Sequence, residues 1–158
     1  MKCLVVYDSQ HGNTQKIAQA MADQLAQTDT AYAIHVDEVQ LGDMRGINLL
    51  VVGSPTQMLS ATKPVKSWLN ILPGDYLKGV RAAAFDTRFT QEKIAENKIL
   101  SLFVKIFGYG AQPIAKRLVQ KGAELITEPE GFYVSDIEGP LLPDELERAV
   151  AWAARFGT

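Results

Sequence analysis

The sequence predicts an α/β fold: a parallel sheet with helices on its faces. Two observations carry this. Apolar strand-like runs alternate with amphipathic helical patterns along the whole chain, as expected when each helix returns the chain to lay down another parallel strand. One run, residues 47–53 (INLLVVG), is almost continuously apolar, which suits a central strand covered on both faces. With 158 residues, 47% of them hydrophobic, the chain is long enough for one sizeable core, so a single domain over 1–158 is expected.

Taken in order, the first strand is expected at residues 2–7. A helix over 15–25 follows, with Ile17, Met21 and Leu25 forming one apolar stripe. Residues 31–39 read as the second strand. Tyr32, Ile34 and Val36 share one face, and His35 points the other way as an exposed or capping histidine. One helical turn at most fits between residues 40 and 46, ahead of the third strand. The next helix, at 62–72, accommodates Pro64 in its first turn and turns Val65, Trp68, Leu69 and Leu72 inward. The fourth strand spans 80–85. A long connection, 86–110, leads to a helix over 111–121 that stops at Gly122. The fifth strand reads as two pieces, 124–126 and 132–134, around residues 129–131. The last helix begins near Pro143 and is expected to bury Leu146, Val150, Ala153 and Phe156.

Composition narrows the classes of function. The lone cysteine, Cys3, sits in an apolar strand, which excludes an internal disulfide and suits a buried thiol in a cytoplasmic protein. No apolar run approaches the roughly 20 residues of a membrane span, and residues 1–14 do not read as a signal peptide. The net charge of −2 is uneven: residues 88–121 carry seven Lys or Arg against two Glu, on an otherwise acidic body. Such a basic segment suits a docking surface or a solvated helix face, and without an interleaved motif it gives no case for nucleic-acid binding.

Chemistry concentrates in the loop between the first strand and first helix, Ser9-Gln10-His11-Gly12-Asn13-Thr14. A strand that enters a helix through hydroxyls, a glycine and an asparagine makes an anion nest, with backbone N–H groups and the helix dipole facing the ligand. Ser9 and Thr14 can donate to phosphate oxygens or cap the helix, and the two uses are compatible. His11 is either a further donor or a solvent-facing residue. The loop has no lysine and no GxGxxG, so neither a triphosphate loop nor a dinucleotide fingerprint is present. In a parallel sheet, the loops that follow the strands share one edge, where ligands bind. Two more polar loops fall there, 54–61 and 86–89, and could bracket a planar ring.

The first loop resembles the phosphate loop of flavodoxins, a [TS]-x-x-G-x-T pattern. Val52-Gly53-Ser54-Pro55-Thr56 resembles the loop after their third strand, and Ala83-Ala84-Phe85-Asp86-Thr87 lies where their third flavin loop begins. The resemblance runs over most of the chain. It implies a three-layer, doubly wound flavodoxin-like fold with five parallel strands in the order 2-1-3-4-5, and FMN at the strand ends. Carried over by position, Ser9, Gln10, His11, Gly12, Asn13 and Thr14 would bind the FMN phosphate. Ser54, Pro55, Thr56, Gln57 and Met58 would lie along the ribityl chain and one ring face. Asp86, Thr87, Arg88 and Phe89 would contact the pyrimidine edge, mostly through backbone. No catalytic side chain and no metal ligand is implied.

The resemblance implies an electron carrier working between redox partner proteins, a reductase and an acceptor. The alternative is an FMN-dependent oxidoreductase of the quinone reductase or protoporphyrinogen oxidase type. The sequence departs from the flavodoxin pattern where aromatics usually flank the ring: Gln57 and Met58 follow Pro55-Thr56, and Phe89 is the nearest aromatic to the third loop. Residues 98–107 (KILSLFVKIF) are apolar around most of a helical circumference, leaving only Lys98, Ser101 and Lys105 as a polar stripe. Packing within the fold or a homodimer contact is the expected burial of this segment. A phosphoacceptor receiver domain would need an Asp where Gly53-Ser54 stands. A low-molecular-weight phosphatase would need Cys-x5-Arg in the first loop, which is missing.

Overall fold

A computed structural model of the chain describes residues 1–57 and 60–157. Strand β1 (Lys2–Tyr7) leads into α1 (Asn13–Leu25), and β2 (Thr30–His35) is followed by a short 3-10 turn and the single helical turn α2 (Leu41–Met44). Then come β3 (Leu49–Pro55), α3 (Lys63–Ile71), β4 (Arg81–Phe89), α4 (Gln91–Ala95), α5 (Lys98–Phe107) and α6 (Ala111–Gln120). The chain closes with β5 (Glu124–Leu125), β6 (Glu130–Val134) and α7 (Glu145–Ala154).

All strand pairs are parallel, and the order is β2-β1-β3-β4-β5, as the resemblance implied. The interrupted fifth strand is present as two pieces on the same edge of β4. Strand β5 pairs Arg81 and Ala82, and β6 pairs Phe85 through Phe89. Side-chain alternation divides the core into two layers. Leu4, Val6, Leu50, Val52, Ala82 and Ala84 meet Val65 and Leu69 of α3 and Ile114 and Leu118 of α6. Cys3, Val5, Leu49, Val51, Ala83 and Phe85 meet α1 and α7. In that second layer Phe85, Phe132, Trp152 and Phe156 form a chain of edge-to-face rings, with neighbouring centroids 4.6–6.1 Å apart.

Four expectations need correction. Strand β2 ends at His35 instead of residue 39, because the imidazole Nδ1 accepts the Asp37 N–H at 3.3 Å and turns the chain. Strand β3 is displaced two residues along the chain, to Leu49–Pro55. Strand β4 continues to Phe89, since β6 supplies partners for residues read as loop. Helix α7 buries Ala149, Trp152 and Ala153, with Phe156 buried just beyond its end, whereas Leu146 is 40% exposed. Its sequence is apolar over too wide an arc to fix one phase, and the large aromatic rings take the core.

Helix α5 packs within the fold in part. Ile99 and Leu102 are 71% and 58% exposed, while Leu100 and Val104 turn toward the ends of the strands. Trp68, expected inside, is partly buried against the α3–α6 layer.

Candidate functional site

The loops at the C-terminal ends of β1, β3 and β4 enclose a cleft of about 740 Å³, of the size that holds small ligands. At one end, Gly12 takes a left-handed φ of 83° and α1 begins with no side-chain cap. A residue with a Cβ is strained there. The Ser9 amide is taken by the Asp8 carboxylate at 2.8 Å, and Ser9 Oγ accepts the Gln15 amide at 3.3 Å. The amides of Gln10, His11, Gly12, Asn13 and Thr14 have no partner among the described residues. Five successive open N–H groups leading into a helix with no acid in its first turn form the anion nest.

Neighbouring groups hold this loop. His35 Nε2 stands 3.2 Å from Asp8 Oδ1. Asn13 Nδ2 donates to the Glu138 carbonyl at 3.1 Å. Thr14 Oγ1 meets Thr87 Oγ1 at 2.8 Å, so the first and third loops share a buried hydroxyl contact. Ser9, Gln10, His11, Asn13 and Thr14 line the cleft, and Gly12 shapes the loop without lining it.

In the second loop, Pro55, Thr56 and Gln57 line the cleft. Ser54 does not. It is fully buried, and its Oγ accepts the Thr62 amide at 2.8 Å, which anchors the entry to α3. Gln57 and Ser60 exchange backbone bonds at 2.9 Å. Met58 lies outside the described residues.

The third loop is the end of β4. Thr87, Arg88 and Phe89 line the cleft, whereas Asp86 is wholly buried beneath them. Its carboxylate receives Arg88 Nε at 2.5 Å, Arg88 Nη2 at 2.8 Å and the Ala111 amide at 2.8 Å. Burial pushes the Asp86 pKa up, against the pull of Arg88, the Ala111 amide and Thr56. Asp86 therefore holds Arg88 and the start of α6, and its side chain offers the cleft no contact.

Sequence reasoning missed Tyr109. It lies between Gly108 and Gly110, follows α5, and reaches the cleft from a segment twenty residues past Phe89. Arg88 Cζ sits 3.7 Å from the centre of its ring. The Tyr109 hydroxyl is buried without a partner among the described residues, and desolvation raises its pKa. An aromatic flanked by glycines was the available signal. Ile94 of α4 with Leu100 and Val104 of α5 complete an apolar wall.

A model of the flavodoxin family matches residues 5–152. The chain belongs to the flavodoxin family. A flavodoxin from Aquifex aeolicus (strain VF5) is 35% identical over 92 residues, which is 54% of this chain and 49% of that protein, so the match spans about half the relative's length. Flavodoxin 1 from Bacillus cereus superposes with a TM-score of 0.75 at 17% identity, covering 99% of this chain and 97% of its own. A flavodoxin from the domain Archaea gives 0.73 at 19% identity, with 98% and 95% covered. A WrbA-like flavodoxin protein from Agrobacterium tumefaciens gives 0.72 at 16% identity, with 97% and 92% covered. At such identities these likenesses describe the fold.

Membership in this family implies a flavin, and the residues present suit one. A nest of unpartnered amides matches a phosphate, and a cleft with an apolar wall matches a ring. No helix of the described residues is long and apolar enough to cross a membrane.

Proposed function

We propose that this chain binds FMN in the strand-end cleft and carries electrons between redox partner proteins, a reductase and an acceptor. The observation that carries the reading is the run of five open amides at 10–14, joined through Thr14 and Thr87 to the two loops that would bracket the ring. Bound FMN would supply one- or two-electron transfer. The chain's own residues bind and orient. The amides and Ser9 hold the phosphate, Thr56 and Gln57 flank the middle of the cleft, and Thr87 to Phe89 face the ring. Ile94, Leu100 and Val104 exclude water from that end.

The test is a titration of FMN fluorescence against the purified protein, followed by visible spectra during stepwise reduction. Saturable quenching and a yellow holoprotein support the reading; a protein that leaves FMN fluorescence unchanged overturns it. The buried Cys3 thiol suits a cytoplasmic setting.

The apolar wall favours a second reading, an FMN-dependent oxidoreductase acting on a hydrophobic substrate of the quinone or protoporphyrinogen class. Helices α4 and α5 bring Ile94, Leu100 and Val104 to the same cleft as the proposed ring site. Rapid reduction of the bound flavin by NAD(P)H or by protoporphyrinogen would select this reading over the carrier.

A further inference from the structure

The charge in the cleft is one-sided. Among the described residues that line it none is Asp or Glu, whereas Lys63, Lys66 and Arg88 are cationic, on a chain whose net charge is −2. Arg88 is the cation on the loop proposed to face the ring, and its side chain is 14% accessible. It is also the most constrained. Two of its nitrogens are fixed on the buried Asp86 carboxylate, its guanidinium lies over the Tyr109 ring, and a Cβ at Gly131 would stand 2.2 Å from Nε. Its third nitrogen, Nη1, has no bond among the described residues, and neither does the buried Tyr109 hydroxyl. Two donors without acceptors, held rigidly beside a cleft with no acid in its lining, suit a ligand atom that gains negative charge.

We infer that Arg88, positioned by Asp86 and Tyr109, tunes the proposed flavin site toward its reduced, anionic form. The inference rests on the FMN reading. When a reductant delivers two electrons to the ring and one proton follows, the ring is left one negative charge richer. A fixed guanidinium close to that charge favours the product over the oxidised ring. Asp86 neutralises the pair at a distance, but it lies beneath the loop and the guanidinium is nearer the cleft. Reduction is therefore expected at a higher potential than with a neutral side chain at residue 88.

The experiment uses holoprotein carrying FMN and compares wild type with Arg88→Gln, Asp86→Asn/Arg88→Gln and Tyr109→Phe. Oxidised FMN affinity is read by fluorescence, and the two-electron midpoint potential by dithionite titration against a reference dye. The double variant avoids leaving a lone buried carboxylate, so it guards against misfolding and against a trivial effect of Asp86 charge.

Both Arg88 variants are expected to lose at least about tenfold in preference for reduced over oxidised FMN, a fall of about 30 mV for a two-electron couple. Tyr109→Phe is expected to lose about threefold, as for one neutral hydrogen bond. A double variant with the wild-type potential overturns the role of Arg88. A Tyr109→Phe protein with unchanged preference overturns that of the hydroxyl. Wild-type protein that binds no FMN overturns the functional reading itself, an outcome distinct from normal binding with an unmoved potential.

Discussion

The two ends of the cleft are built by different means. The nest at residues 9–14 is made of backbone, six consecutive residues between β1 and α1, shaped by one left-handed glycine. The opposite end is made of side chains from distant segments: Asp86 and Arg88 on β4, Tyr109 beyond α5, Ala111 on α6 and the space left by Gly131 on β6. An anion site of open amides needs only a local turn, and its chemistry does not depend on side-chain identity. A fixed guanidinium needs a buried counter-charge, a stacking surface and room, and no short segment supplies all three.

The difference predicts unequal sensitivity. Asp86→Ala is expected to have the largest effect, because it strands a largely buried guanidinium and orphans the Ala111 amide; a loss of about 3 kcal/mol is expected, measurable by urea unfolding. A loss below about 1 kcal/mol would place this ion pair with ordinary surface pairs. Gly131→Ala is next. The three atoms nearest the new methyl all belong to the Arg88 side chain, so a cost of about 2 kcal/mol is expected. Asp86→Asn/Gly131→Ala should then cost less than the sum of the single changes, which a double-mutant cycle tests.

At the other end, Gly12→Ala meets no atom within 4 Å but must hold a φ of 83°. A strain of about 1–2 kcal/mol is expected, and about a tenfold loss of FMN affinity if relaxing it turns amides away from the phosphate. Unchanged affinity would show that the nest tolerates another backbone shape. The smallest effect is expected at Asn97, whose Oδ1 accepts both the Ile99 and Leu100 amides at 3.1 Å. Asn97→Ala should weaken α5 by about 1 kcal/mol. Hydrogen exchange should quicken across residues 98–107 while the urea midpoint of the whole domain stays in place.

The same division governs what could be read from the sequence. Strand β1, the start of α3 near Pro64 and the stop at Gly122 were legible because each depends on a local pattern. The split fifth strand was legible too, since Pro129 falls in the break between β5 and β6, although residues 130 and 131 belong to β6. The extension of β4 through Phe89 was not, because its partners, Ser54 and Pro55 of β3 and the residues of β6, lie far off in the chain. The phase of α7 was hidden for a related reason: its apolar arc is wide, and Phe132 selects which part faces inward. Ser54 and Asp86 were read as the first residues of loops, but both lie inside strands, in β3 and β4. Their inward orientation follows from Thr62 and Arg88, which meet them only in the folded chain.

The sequence by itself determined the layered α/β architecture, the strand that opens into a nest, and the flavodoxin resemblance across three loops. Periodicity, glycine and helix-start signals act over a few residues and survive without the fold. Tertiary structure alone decided which loop residues face the cleft, that α5 shows Leu100 and Val104 to it while Ile99 and Leu102 face outward, and that Tyr109 joins Arg88. Those outcomes depend on burial and on contacts between distant segments, and they arise only when the sheet brings its strand ends to one edge.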